Sequence, residues 1–283
     1  MFGDKSRYSI NIRGSLLDFS KPRIMGVLNI TPDSFYKGSR LEDEDRIIRK
    51  ASAMLEEGAD ILDIGGYSSR PGAEHISEKE EWERLEMALR IIRSKYSNAV
   101  ISVDTFRASI AERAVNDYGI DMINDITAGD YDPDMFNVIA RFNLPYIIMH
   151  MKGNPQNMQK NPAYKDILAE LLKWFSEKKQ MLVSMGIKDI IIDPGFGFGK
   201  TVEHNFILLS KLERFRILDL PLLVGLSRKS MIWKTLDITP EESLTGTIAL
   251  NAFSLVKGAS ILRVHDVKEA VHTIKLISSI LNS

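Results

Sequence analysis

Ile190-Ile-Ile-Asp-Pro-Gly-Phe-Gly-Phe-Gly-Lys-Thr201 is the stretch from which the rest of the chain can be read. It opens as a β-branched run, the pattern of a strand buried on both faces. Asp193 stands at the strand end, and three alternating glycines (Gly195, Gly197, Gly199) lead to Lys200 and Thr201 ahead of a helix-like segment. Glycines at this spacing let backbone N–H groups approach a ligand with no Cβ in the way. A nucleotide P-loop is the obvious alternative, but that motif needs four residues between its first glycine and Gly-Lys-Thr. Counting back from Gly199 lands on Pro194, and Gly195 is one residue too close. The stretch is a strand-end acid beside a backbone-lined pocket.

Working outward, the same grammar recurs. Apolar runs of strand length end in polar residues at Asn29, Asp63, Asp104, Asn124-Asp125, His150, Asp193, Ser227-Arg-Lys229 and Arg263, with helical patterns between them. Eight strand–helix units with polar C-terminal ends predict an α/β fold, a (β/α)8 TIM barrel with its site on the top face. Strands are expected at 24–29, 61–64, 100–104, 122–125, 146–149, 190–193, 222–224 and 261–264. Helices are expected near 107–118, 132–142, 163–185 and 244–256. Ser77 and Glu80 read as a capping box for the second helix, and Asp266 as the cap of the last. A short N-terminal hairpin, 8–12 with 16–18 around Arg13-Gly14-Ser15, precedes the barrel. Residues 1–20 thus form an extension and 21–283 one barrel domain, since no linker or charge block marks a further boundary.

Composition removes several classes of function. With 37 Lys+Arg against 38 Asp+Glu the net charge is −1, so no global field recruits nucleic acid or an anionic membrane. The absence of cysteine excludes disulfides and thiolate metal sites. The N-terminus has no apolar leader region, and the longest uncharged run, 243–256, is too short to span a bilayer. A cytoplasmic protein acting on small molecules is expected.

The polar strand ends separate into two sets. Arg70, Arg228, Lys229, Arg263 and His265 form a basic set, and barrels commonly bind phosphate after strands 7 and 8. The alternative is that Arg228 and Arg263 pair with acids on neighbouring loops. Asp104, Asn124 and Asp193 form an acid and amide set that suits a planar heterocycle offering several N–H donors. Its alternatives are a catalytic carboxylate pair, or a divalent metal on Asp104, Asp193 and His150. Asn29, weak as a ligand alone, suits Mg²⁺, which takes one or two protein oxygens plus substrate phosphates.

Eight short blocks, each at a strand end, then carry a resemblance. They are Met25-Gly-Val-Leu-Asn-Ile-Thr-Pro-Asp-Ser-Phe35, Asp63-Ile-Gly-Gly66 with Ser69-Arg-Pro-Gly-Ala73, Ser102-Val-Asp-Thr105, Ile123-Asn-Asp-Ile126, Met149-His-Met151, Asp193-Pro-Gly-Phe-Gly-Phe-Gly-Lys200, Ser227-Arg-Lys-Ser230 and Arg263-Val-His265. In these blocks and their order the chain resembles the dihydropteroate synthases over essentially its full length. That family joins 6-hydroxymethyl-7,8-dihydropterin diphosphate to p-aminobenzoate and releases pyrophosphate. The resemblance implies that Asp104, Asn124, Asp193 and Lys229 hold the pterin. It also implies that Asn29, Arg70, Arg263 and His265 hold the diphosphate, with Mg²⁺ on Asn29. Ser69, Arg70, Pro71, Phe198 and Ser230 would border the p-aminobenzoate, and Asp104, Asp193, Lys229 and Arg263 would carry the catalysis. The chain departs from the family's usual pattern at Tyr67-Ser68-Ser69, which replaces Glu-Ser-Thr, and at Lys37-Gly38-Ser39, which replaces Asp-Gly-Gly.

Two other readings differ in what they require. A methyltetrahydrofolate–corrinoid methyltransferase would share the pterin acids but need no basic corner. A non-catalytic pterin-binding homologue would show eroded motifs, whereas here the departures lie in the first two loops. The nearly all-apolar 244–256 and the stripe on 267–281 imply a homodimer interface, as the family resemblance also does; the alternative is simple packing on the barrel.

Overall fold

In the computed structural model, which describes residues 8–31, 40–68, 75–153, 158 and 162–282 (backbone only at 40 and 41), eight parallel strands form the expected barrel. A two-stranded antiparallel hairpin comes first, β1 (Ser9–Ile12) with β2 (Ser15–Asp18). The barrel strands are β3 (Arg23–Asn29), β4 (Ile61–Gly65), β5 (Val100–Asp104), β6 (Met122–Asp125), β7 (Tyr146–Met149), β8 (Ile190–Asp193), β9 (Leu223–Val224) and β10 (Ile261–Val264). Their order is β8-β7-β6-β5-β4-β3-β10-β9, and a parallel bridge between Ile192 and Leu222 joins the two ends into a ring. Around them lie α1 (Arg40–Glu57), α2 (Glu78–Lys95), α3 (Ala108–Tyr118), α4 (Met135–Phe142), α5 (Ile167–Ser184) and α6 (Val202–Ser210). A 3₁₀ turn (Leu212–Leu218), a short α7 (Ser230–Leu236), α8 (Leu244–Val256) and α9 (Val267–Leu281) complete the ring.

The alternation of strand side chains sets the interior in layers. Met25, Ile61, Met122, Ile147, Ile191, Leu223 and Ile261 form one apolar layer, closed from below by Ile10, Ile12 and Phe19 of the N-terminal segment. The hairpin is therefore a plug for the barrel floor, latched by Arg13, which donates to the carbonyls of Ser97 and Ala99 and pairs with Asp121. Two residues along the same strands the interior turns polar: Ile61 gives way to Asp63, Met122 to Asn124, Ile191 to Asp193 and Ile261 to Arg263. The site is thus the next storey of the core.

Several element ends differ from the sequence reading, each for a local reason. Helix α4 begins at Met135 and not at 132: residues 132–135 form a turn, the Met135 N–H donating to the Asp132 carbonyl, while the Asp132 carboxylate accepts from the N–H groups of Asp134 and Ala108. Helix α5 begins at Ile167, where Asp166 caps the Ala169 N–H; Tyr164, just before it, donates its hydroxyl to the Gly199 carbonyl. The capping box expected at Ser77 and Glu80 is half made. Ser77 accepts from the Glu80 N–H, but the Glu80 carboxylate turns to Arg84 at 2.6 Å. A full capping box forms instead at Thr201 and His204. Asp266 precedes α9 without capping it, since its carboxylate is held by Arg228. Helix α8 matches its expected bounds but turns Thr247, Asn251, Ser254 and Leu255 inward, leaving Phe253 exposed.

Candidate active site

The mouth of the barrel is organised by one guanidinium. Arg263 on β10 reaches across the opening, its Nε donating to Asp63 Oδ2 at 2.6 Å and its Nη2 to Asp104 Oδ2 at 2.6 Å. Asn124 Nδ2 donates to the same Asp63 oxygen at 3.1 Å. Strands β4, β5, β6 and β10 are thereby tied through side chains as well as through their ladders. Gly65 lies between Asn29 and Asp104, where a Cβ would just touch both, 3.4 Å from Asn29 Oδ1 and from Asp104 Cβ. Asn29, Gly65, Asp104 and Asn124 follow one another in strand register, so the Asn29 amide stands two strands from Asp104.

A second group forms around the glycine loop after β8. Gly195 and Gly199 both have positive φ, at 69° and 60°. A Cβ on Gly195 would fall 2.1 Å from the His150 carbonyl oxygen, and one on Gly199 2.5 Å from that of Lys152. The loop therefore lies against the backbone that follows β7, which only glycine allows. The Gly195 N–H donates to Asp193 Oδ1 at 2.8 Å. Lys229, the residue before α7, donates to the Phe196 carbonyl and sets its Nζ 4.6 Å from the centre of the Phe198 ring. Ser230 opens α7 and is half-buried. Phe198 belongs to an apolar cluster with Tyr67, Phe106, Ile126 and Met149 that lines the upper wall. Tyr67, the residue that departs from the family pattern, stacks edge-on to Phe106 and shares a hydrogen bond with His75 Nδ1 at 3.2 Å.

Burial dominates the electrostatics. It pushes the Asp104 carboxyl up to about 7, with Arg263 pulling down and Asp63 pushing further up. It raises Asp193 as well, against the pull of Lys229, the Gly195 N–H and Arg263. It lowers Lys229 to about 8, with Asp193 holding it up and Arg263 deepening the fall. Arg263 bears the same burial, yet Asp63 and Asp104 hold it firmly protonated. The mouth thus gathers three carboxylates, Asp63, Asp104 and Asp193, around two cations, Arg263 and Lys229.

Of the residues expected from sequence, Asp104, Asn124, Asp193, Lys229, Phe198, Ser230, Asn29 and Arg263 are all at this end of the barrel. His265 follows β10, its Nδ1 3.0 Å from Ser227 Oγ. Ser69, Arg70 and Pro71, like Lys37, lie outside the described residues. Arg228 requires a correction: it is bound at both ends of the Asp266 carboxylate, at 3.1 and 2.7 Å, and so belongs to the α9 start. The two charge sets are also less separate than their sequence positions imply, since Arg263 lies among the acids. Asp63 was missed as a site residue, although counting by twos from Ile61 places it inward. Lys200 was missed too. It is buried against three backbone carbonyls, which no side-chain pattern announces.

A parallel eight-stranded barrel with acids, an amide and two cations at its mouth has the architecture of the pterin binding enzymes, and that family's model matches residues 25–265. Dihydropteroate synthase of Escherichia coli K12 is 40% identical over 273 residues, 96% of either chain. That of Haemophilus influenzae is 41% identical over 269 residues, 94% of this chain and 97% of its own. The Yersinia pestis dihydropteroate synthase in a sulfonamide drug complex superposes with a TM-score of 0.90 at 37% identity, over 97% of this chain and 99% of that one. The Xanthomonas albilineans enzyme with 4-aminobenzoic acid gives 0.89 at 34%, over 97% and 98%. The chain belongs to the dihydropteroate synthases and is a transferase.

Proposed function

We propose that the enzyme condenses 6-hydroxymethyl-7,8-dihydropterin diphosphate with p-aminobenzoate, giving 7,8-dihydropteroate and pyrophosphate in folate biosynthesis. The observation that carries the reading is the row Asp104, Asn124, Asp193 with Lys229, an alternation of acceptors and donors facing one mouth beside Arg263. The carboxylates accept from the ring N–H groups, Asn124 can do either, and Lys229 donates to a ring acceptor. Arg263, His265 and Arg70 take the diphosphate oxygens. Phe198 and Ser230, with Ser69 and Pro71, border the p-aminobenzoate. Structures of relatives with 4-aminobenzoic acid (Xanthomonas albilineans) and in the presence of pteroic acid (the Clostridium enzyme) support a pterin and p-aminobenzoate as the two ligands.

The donor set fits Mg²⁺ bound mainly by substrate. Asn29 offers one hard amide oxygen at the mouth, and among the described residues no three acids or histidines converge as ligands. Asn29 would hold the ion together with the diphosphate, and the ion would supply charge neutralisation on that leaving group.

The reaction is proposed to be stepwise. The bond from the pterin's exocyclic methylene carbon to the diphosphate oxygen breaks first, its electron pair leaving on pyrophosphate. Asp104 and Asp193 stabilise the remaining cation as fixed negative neighbours. The amine nitrogen of p-aminobenzoate then attacks the methylene carbon and loses its proton to solvent. Among the described residues no side chain at the mouth is placed to activate that weak amine, which favours making the electrophile first. Bridge-oxygen exchange in labelled pterin diphosphate, measured without p-aminobenzoate, is expected to show scrambling. A trapped pterin–enzyme adduct in single-turnover mass spectrometry would refute the mechanism, and failure to form dihydropteroate from the two substrates would refute the function.

The apolar stripe of α9 (Val267, Ala270, Val271, Ile274, Ile277) packs on the barrel core, so it is the outer faces of α8 and α9, with Phe253 and the 68%-exposed Leu276, that are proposed to pack against a second copy of the chain.

A further inference from the structure

Lys200 has no part in the chemistry above, yet it is only 2% exposed. Its Nζ donates to the carbonyls of His150 and Gly195 at 3.0 Å each and of Phe198 at 2.9 Å, with His150 Nδ1 at 3.2 Å. Three carbonyls use all three donors of an ammonium. Two belong to the glycine loop and one to the residue after β7, so one side chain ties the loop to the neighbouring strand. Gly195, held in this way, is the residue whose N–H donates to Asp193.

The charged groups facing Lys200 come from three elements. Asp193 of β8 favours its charge, Lys229 before α7 opposes it, and His150 after β7 is kept neutral, pushed down to about 3 by burial and by Lys200 itself. Burial pulls Lys200 down to about 7, and Asp193 is what resists. Neutral donors could satisfy three carbonyls without the cost of burying a cation. The gain from a cation is felt at Asp193, which a bound pterin strips of its remaining water.

We propose that Lys200 is a positioning residue of the pterin site: it fixes the glycine loop around Asp193 and, behind Lys229 and Arg263, adds a buried positive charge that favours the ionised Asp193 carboxylate while pterin covers it. The inference rests on Asp193 as an acid that holds the pterin.

The sign follows from linkage. Asp193 is already raised by burial, and loss of the Lys200 charge raises it further. Pterin needs the ionised carboxylate, so the acid-side fall in affinity moves to higher pH. Calorimetric titration of 6-hydroxymethylpterin into wild type, Lys200→Met and Lys200→Gln across pH 5–9 reads this directly. Both neutral variants are expected to shift the acid limb upward by about one unit, a loss of about tenfold on that limb. Lys200→Gln keeps donors for the carbonyls, so a shift in it reports the charge. Limbs that coincide with wild type overturn the proposal. Unchanged affinity in Asp193→Asn instead overturns the reading of Asp193 itself, which separates the two failures. Should the variants not fold, wild type with ¹³Cε-lysine suffices, the Lys200 signal being identified by its proximity to the His150 ring, 3.2 Å from its Nζ. Linkage is reciprocal, so pterin must raise the Lys200 pKa, and a titration indifferent to pterin overturns the proposal.

Discussion

Ile61 and Asp63 point into one barrel from one strand, as do Ile191 with Asp193 and Ile261 with Arg263. The lower member of each pair packs in an apolar layer sealed by the hairpin. The upper member holds charge in a place almost as closed, where Asp63 is fully buried and its opposite number is a guanidinium. The floor is stabilised by shape, and a wrong side chain there leaves a void. The mouth is held by pairing, and a wrong side chain there leaves a lone charge. Stability and binding should therefore separate along a single strand at a step of two residues.

The largest test of that separation is at the floor. Ile191→Ala is expected to lower unfolding free energy by about 2–5 kcal/mol, while the folded fraction binds pterin as wild type does. Denaturant melts paired with calorimetry would show a break in the comparison if pterin affinity fell as well. Two residues along, Asp193→Asn should do the reverse. It sets a donor where an acceptor is needed, costing pterin binding ~3 kcal/mol with little change in the melt. Normal pterin binding in that variant would remove Asp193 from the ring edge.

Arg263→Ala mixes the two behaviours. Affinity for pyrophosphate with Mg²⁺ should drop by roughly 1.5–3 kcal/mol, and unchanged binding would sink the assignment. The same variant leaves Asp63 and Asp104 uncompensated. Asp104, already raised by burial, is relieved by protonation, so the variant's stability deficit should be greater at pH 8 than at pH 5. In wild type, Asp104 is raised toward 7 from the ordinary carboxylate range, so the folded state holds that proton more tightly than the unfolded chain. Its contribution to stability therefore declines as pH climbs through that window, and Asp104→Asn should flatten this part of the profile. The smallest effect on the barrel itself is expected from Leu276→Asp on the outer face of α9. It should leave pterin binding intact and convert a dimer to a monomer by light scattering; a wild-type monomer at micromolar concentration would dispose of the interface.

What sequence could disclose follows the same division. Barrel strands were legible because a β-branched run ending in a polar residue suits little besides a buried parallel strand. Asp104, Asn124 and Asp193 were legible because a strand end in a barrel points at the site. Arg228 and Arg263 looked alike, each basic and each after one of two adjacent strands. Only the fold shows that one turns out to Asp266 at the start of α9 and the other in to Asp63 and Asp104. Asp266 misled as a helix cap because its carboxylate serves another element, the Arg228 guanidinium. Lys200 was silent because its partners are carbonyls, and every residue has one of those.

The reach of Arg263 also has a consequence in time. Its bonds to Asp63 and Asp104 span 200 and 159 residues of chain, and β10 pairs with β3, the first strand of the barrel. During synthesis both acids leave the ribosome long before their cation exists. A nascent chain holds the carboxylates of the site with nothing to balance them, and such long-range pairings are the slow part of folding. Ring closure and charge neutralisation thus arrive together, with one of the last strands to be made. A chain that stops before residue 263 is missing more than a strand: its unbalanced acids mark it as unfinished.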